Sequence, residues 1–198
     1  MATSGYTGWA MQFTLPPPGI QVMLLTLVVG AAIYDVRYRR IPNWLTVSGV
    51  LAGIAMNTFL AWSSPQQWSG CIFALKGLGA AFGVYFALYA LRAMGAGDVK
   101  LMGAIGAMTG WEDWFGIFLV TAVVGGVMAL IFSILKKRLG KTLWNVSFIL
   151  SEMKHGRPAY VQREELDVKN PKSVGLPHGA IIAIGTLFFL AVSLHFAR

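Results

Sequence analysis

The chain has 198 residues, 56% of them hydrophobic and 12% charged, with a mean hydropathy of +0.63. A water-soluble domain carries roughly twice that share of charge, so a soluble globular fold is excluded and an integral membrane protein is expected. The net charge of +8 suits either nucleic acid or an anionic membrane surface, and a single cysteine, Cys71, excludes an internal disulfide framework or a multi-cysteine zinc site.

Five apolar stretches approach the roughly 20 helical residues that a bilayer core requires. They are Pro18–Tyr34, Trp44–Trp62, Cys71–Leu91, Trp114–Leu135 and Gly179–Phe196. A sixth, Val99–Thr109, is short and apolar apart from Lys100, and is read as a short or tilted span. The fold class expected is therefore all-α, a polytopic membrane protein with about six transmembrane helices. Pro16-Pro17-Pro18 precedes the first run and no basic region opens the chain, so a secretory signal is not expected.

The distribution of charge sets the orientation. Fourteen of the 16 basic residues fall in loops on one side: Arg37, Arg39 and Arg40, then Arg92 and Lys100, then the stretch from Lys136 to Lys172. The loop Ser63–Gly70 has no charge, and the turn Gly110–Trp114 holds only Glu112 and Asp113. By the positive-inside rule the basic side is cytoplasmic and both termini lie on the outer side. Lys76 and Arg198 stand apart, Lys76 placed to snorkel outward. This pattern removes the need for a nucleic-acid partner. All seven tryptophans, Trp9, Trp44, Trp62, Trp68, Trp111, Trp114 and Trp144, fall at span boundaries, where an aromatic belt would lie.

The long polar segment Lys136–Pro177 reads as a solvated cytoplasmic loop, with a docking surface as the lesser alternative. Leu143, Trp144, Val146, Phe148, Ile149, Leu150 and Met153 could form one face of an interfacial helix within it. The single membrane-embedded domain would then cover residues 1–198. Gly79-xxx-Gly83 and Gly106-xxx-Gly110 match the small-xxx-small pattern and are read as packing within the chain, with a dimer face as the lesser alternative.

Two carboxylates depart from the loop pattern. Asp35 continues the run Val28-Val29-Gly30-Ala31-Ala32-Ile33-Tyr34, and Asp98 lies within Gly95-Ala96-Gly97-Asp98-Val99-Lys100. The topology puts both at the same leaflet, where a carboxylate near hydrocarbon is costly and points to function. Each has a structural alternative: Asp35 can end a helix beside Arg37, Arg39 or Arg40, and Asp98 can cap the next span. As a pair they suit metal-free peptide hydrolysis, because two aspartates sharing a proton supply both the base that activates water and the acid that protonates the leaving amine. Gly95 and Gly97 would allow positive φ or close approach of a substrate strand to Asp98.

The segments Asp35-Val36-Arg37-Tyr38-Arg39-Arg40-Ile41-Pro42-Asn43 and Gly95-Ala96-Gly97-Asp98-Val99-Lys100-Leu101 resemble the two signature motifs of bacterial type IV prepilin peptidases, GxGD-type aspartic proteases of the inner membrane. Pro177-His178-Gly179-Ala180 fits the same resemblance, which covers essentially the whole chain; His178 stands where an aromatic residue is expected. GxGD alone is weak, whereas joined to D-x-x-x-x-R-I-P-N 63 positions upstream it is specific.

The resemblance implies that Asp35 and Asp98 are the catalytic pair. Gly95, Gly97 and Lys100 would shape the second site, and Arg40, Pro42 and Asn43 the turn after the first. It also implies removal of a short basic leader from prepilins at the cytoplasmic face, the substrate presenting an apolar helix beyond the cut. Larger members add a cysteine-rich, zinc-binding N-terminal region and N-methyltransferase activity. Here the first span opens near residue 18, so methylation is not expected and the short form looks most like the peptidases of tight-adherence (Flp-type) pilus systems. No cofactor or metal is expected, since His155, His178 and His195 lack ligand spacing. A small ion transporter and a non-catalytic pilus or secretion subunit are the alternatives. The apolar middles of the spans argue against the first and the intact motif pair against the second.

Overall fold

The computed structural model describes residues 15–63, 65, 68–91, 94–137, 139, 140, 144, 145, 147, 148, 151 and 177–196. All of the long elements are helices: α1 (Pro18–Tyr38), α2 (Asn43–Ala61), α3 (Ser69–Ala90), α4 (Ala96–Leu135) and α5 (His178–Phe196). Each is long and apolar enough to cross a membrane. No strand occurs among the described residues. The chain is thus a polytopic helical membrane protein, as its composition implies.

Helix α4 has 40 residues, and a straight helix of that length would reach about 60 Å, twice the bilayer core. It breaks at Gly110, where φ is 75° and ψ 179°. That conformation suits a residue without Cβ, and a Cβ there would also overlap the Phe73 ring. Packing shows that the chain reverses at this point. In the first arm, Ala104 and Ala107 lie against Gly49 and Gly53 of α2, in parallel, while Gly106 and Gly110 meet Gly77 and Phe73 of α3. In the second arm, Gly116, Thr121 and Gly125 lie against Phe189, Gly185 and Ile181, so it runs antiparallel to α5. Five helices therefore give six segments, of which the first arm of α4, ending at Gly110, is shorter than the roughly 20 residues that a full crossing needs. The expected turn Gly110–Trp114 contracts to one residue, because a single glycine with positive φ makes the break and helix resumes at Trp111.

The reversal leaves carbonyls at the end of the first arm without helical partners. Asn57 of α2 meets them: its Nδ2 lies 3.0 Å from the Ala107 carbonyl and 3.1 Å from that of Met108, as well as 3.0 Å from Gly53 O. A buried polar side chain within a span, Asn57, is thereby accounted for.

Two sequence expectations are corrected here. Trp114 is 2% exposed, packed against Tyr85 and Phe118, and does not belong to a belt. The hairpin turns that side of the second arm toward α3. Trp44, Trp62, Trp68, Trp111 and Trp144 do face outward. The pattern Gly106-xxx-Gly110 packs within the chain, but Gly79 and Gly83 meet nothing within 4 Å, because α3 turns Gly70, Ala74, Gly77, Ala81 and Tyr85 inward instead. Trp9, Arg198 and most of Lys136–Pro177, with Leu143, Val146, Ile149, Leu150 and Met153 of the expected interfacial helix, lie outside the described residues.

Candidate functional site

Alternation of the segments brings the end of α1 and the starts of α2, α4 and α5 to one end of the bundle, the end that holds both aspartates. Helix α1 stops because Arg39 adopts a left-handed conformation (φ 53°, ψ 31°) and donates its N–H to the Asp35 carbonyl at 2.9 Å. Pro42 pushes Ile41 out of helical geometry and supplies the carbonyl that accepts the Leu45 and Thr46 amides of α2. The R-I-P-N run is thus a tight connection between two antiparallel helices, with Arg40 exposed and Asn43 the first residue of α2.

Asp35 is 8% exposed in the last turn of α1. Its Oδ2 accepts the Gly179 N–H at 2.7 Å, from the first turn of α5. A free amide at a helix N-terminus is a natural partner for a carboxylate, through both the hydrogen bond and the dipole. Gly179 is required for this fit, since a Cβ there would lie 3.0 Å from Asp35 Cβ and 3.1 Å from Ile41 Cδ1.

Asp98 is 9% exposed, three residues beyond Gly95, which precedes α4. Its N–H donates to Gly95 O at 3.2 Å and its Oδ2 accepts the Gly95 N–H at 3.3 Å. The expected capping role is therefore real, at the third helical position beyond the N-cap Gly95 and with a long bond. It occupies one side of one oxygen and leaves the rest of the carboxylate available.

Asp98 lies within electrostatic reach of both Asp35 and His178, and Tyr85 feels Asp98 in turn. Both aspartates are therefore at one depth, each receiving a main-chain amide at a helix N-terminus. Ile41 stands between their supports: its Cβ would be 3.3 Å from a Cβ on Gly97, and its Cδ1 lies against Gly179. Neither Gly95 nor Gly97 uses positive φ, Gly95 having φ −81°. Gly97 makes room for Ile41, and the positive-φ alternative of the sequence expectation is corrected. Lys100 is exposed and donates from Nζ to Asn43 Oδ1 at 2.9 Å, joining the starts of α4 and α2.

Sequence reasoning singled out Asp35, Asp98, Gly95, Gly97, Lys100, Arg40, Pro42 and Asn43, and the structure gathers all eight at this end. It missed Ile41 and Tyr85, and it noted Gly179 only as part of a motif. Ile41 was visible within R-I-P-N; nothing in the sequence connects position 179 to position 35. Among the described residues no three His, Cys, Asp or Glu side chains group as metal ligands would.

A sequence model of the type IV leader peptidase family matches residues 22–130, more than half of the chain. Among similar curated proteins is a prepilin leader peptidase/N-methyltransferase of Pseudomonas aeruginosa, 26% identical over 129 residues, covering 65% of this chain and 44% of that protein. Proteins of the same description from Stutzerimonas stutzeri (26% over 127 residues, 63% of this chain and 43% of theirs) and Pectobacterium carotovorum (30% over 119 residues, 59% and 42%) are also similar. The chain spans less than half the length of these relatives. No solved structure matches it significantly. The match extends over both motifs and the helices that present them, and the chain belongs to the type IV leader peptidase family.

Proposed function

We propose that the chain is a prepilin leader peptidase, an aspartic endopeptidase that removes the short basic leader of Flp-type prepilins. The active site would lie at the cytoplasmic face of the bacterial inner membrane, in one membrane-embedded domain. The observation that carries this reading is the pair of buried carboxylates, Asp35 and Asp98, brought to one end of the bundle and each anchored by a main-chain amide. The basic loops at the same end support the assignment of that face.

In the proposed reaction one aspartate, ionised, takes a proton from water while the water oxygen attacks the scissile carbonyl carbon. The other, protonated, first polarises the carbonyl oxygen and then delivers its proton to the amine nitrogen as the C–N bond breaks. Two close carboxylates cannot both ionise cheaply, so a single shared proton is the natural resting state of such a pair. Water, peptide and one proton in transit balance the reaction, and the pair is returned for the next cycle. Anchoring by Gly179 and Gly95 keeps the carboxyl groups from turning away, which is how preorganisation contributes to rate.

The test is co-expression with candidate Flp-type prepilins, followed by N-terminal sequencing of the pilin. Cleavage between the basic leader and the apolar helix is expected. A prepilin left at full length beside membrane-inserted peptidase, when another family member cuts the same prepilin, would overturn the reading.

A further inference from the structure

A groove of about 440 Å³ opens between α2, α3 and the first arm of α4. Val47, Val50, Leu78 and Phe82 form its walls, Gly103 its floor, and Gly79 leaves open space where a Cβ would stand. One charged side chain lines it, Lys100, at the end of the bundle where α4 begins. The Thr46 hydroxyl is turned to Asn43 O, so the groove is apolar in chemistry as well as in composition. Lys100 uses one donor on Asn43 Oδ1 and has two more to offer.

The lining residues of α3 run from Leu75 to Phe82, about 10 Å of helix at 1.5 Å per residue, apolar along the walls with a single cation at one end. The groove follows the helices from a cationic mouth toward the middle of the bundle, which is the shape and polarity of a lipid with an anionic head.

We propose that this groove binds one acyl chain of an anionic phospholipid whose phosphate pairs with Lys100. A lysine beside an anionic headgroup contributes about 1 kcal/mol, which corresponds to about fivefold preference for the anionic lipid. The proposal does not rest on leader cleavage, so its failure leaves the peptidase reading untouched.

The full chain, purified in detergent and titrated with phosphatidylglycerol or phosphatidylcholine, is read by native mass spectrometry. The wild type should retain one phosphatidylglycerol with about fivefold preference over phosphatidylcholine. Gly79→Leu, which fills open space, should lose that bound copy, and Lys100→Gln should keep a lipid but lose the preference. Equal binding of the two lipids by wild type, or unchanged retention by Gly79→Leu, overturns the proposal. Because a larger side chain could disturb insertion, a photo-crosslinking residue introduced at Gly79 gives a second reading in native membranes. Adducts with phospholipid are expected; adducts with a second copy of the chain or with an apolar peptide helix contradict it.

Discussion

Replacing Gly179 by alanine separates the anchoring of Asp35 from the stability of the bundle. The new Cβ would stand 3.0 Å from Asp35 Cβ, 3.1 Å from its Oδ2 and 3.1 Å from Ile41 Cδ1. Ordinary contact needs several tenths of an ångström more, so the first turn of α5 and the end of α1 must part. The bond lost or stretched is the 2.7 Å amide–carboxylate contact. Hydrogen bonds to charged groups contribute about 1.5–3 kcal/mol, and each 1.36 kcal/mol is tenfold in rate. Leader removal should therefore slow about 10–100-fold, chiefly in kcat.

Stability should move little, because alanine is favoured over glycine within a helix by up to about 1 kcal/mol and offsets part of the crowding. Gly185→Ala is the contrasting variant. Its Cβ would run into Thr121 in the middle of the α5 packing face, remote from the aspartates, so it should lower the unfolding midpoint while folded molecules keep their turnover. The assay is cleavage of a purified prepilin in detergent, with products quantified by mass spectrometry and unfolding followed in parallel. A Gly179→Ala enzyme within about twofold of wild type would refute the claim that this amide holds Asp35 in its working position.

Asn57→Leu keeps the branched shape of the side chain but strips the partners from the Ala107 and Met108 carbonyls, and should destabilise the protein by about 1–3 kcal/mol in detergent unfolding. Gly110→Ala forces a Cβ into the left-handed region, at about 1–2 kcal/mol, and against the Phe73 ring. Adding Phe73→Ala should recover only the part due to overlap, as measured by the unfolding midpoint. Asn43→Ala removes an exposed hydrogen bond to Lys100, and prepilin cleavage should fall by less than about tenfold.

What could be read in advance follows from range. Hydropathy runs and basic loops are local, and they gave the spans to within a few residues; Asp35 and Asp98 were conspicuous because each interrupts or follows an apolar run. The break in α4 was legible as two spans with a polar turn between them. Its reduction to Gly110 was not, because Trp111, Glu112 and Asp113 read as loop although they continue the helix. Contacts between distant positions were hidden. The amide of Gly179 reaches Asp35 across 144 positions, and Ile41 meets Gly97 and Gly179 through a turn whose shape comes from Arg39 and Pro42 together. Small residues misled where the pattern was read without a partner: Gly77 faces Gly106, while Gly79, two positions on, faces open space.

The central claim is that Asp35 and Asp98 together carry the chemistry, and single isosteric replacements test it most directly. Asp35→Asn and Asp98→Asn each keep the side chain's size and its ability to accept the Gly179 or Gly95 amide, and remove the proton chemistry. Prepilin turnover by each variant, purified at wild-type yield from membranes, should fall by at least about 100-fold, the lower end of what general acid–base catalysis supplies. Turnover near the wild-type rate in either variant would contradict the account.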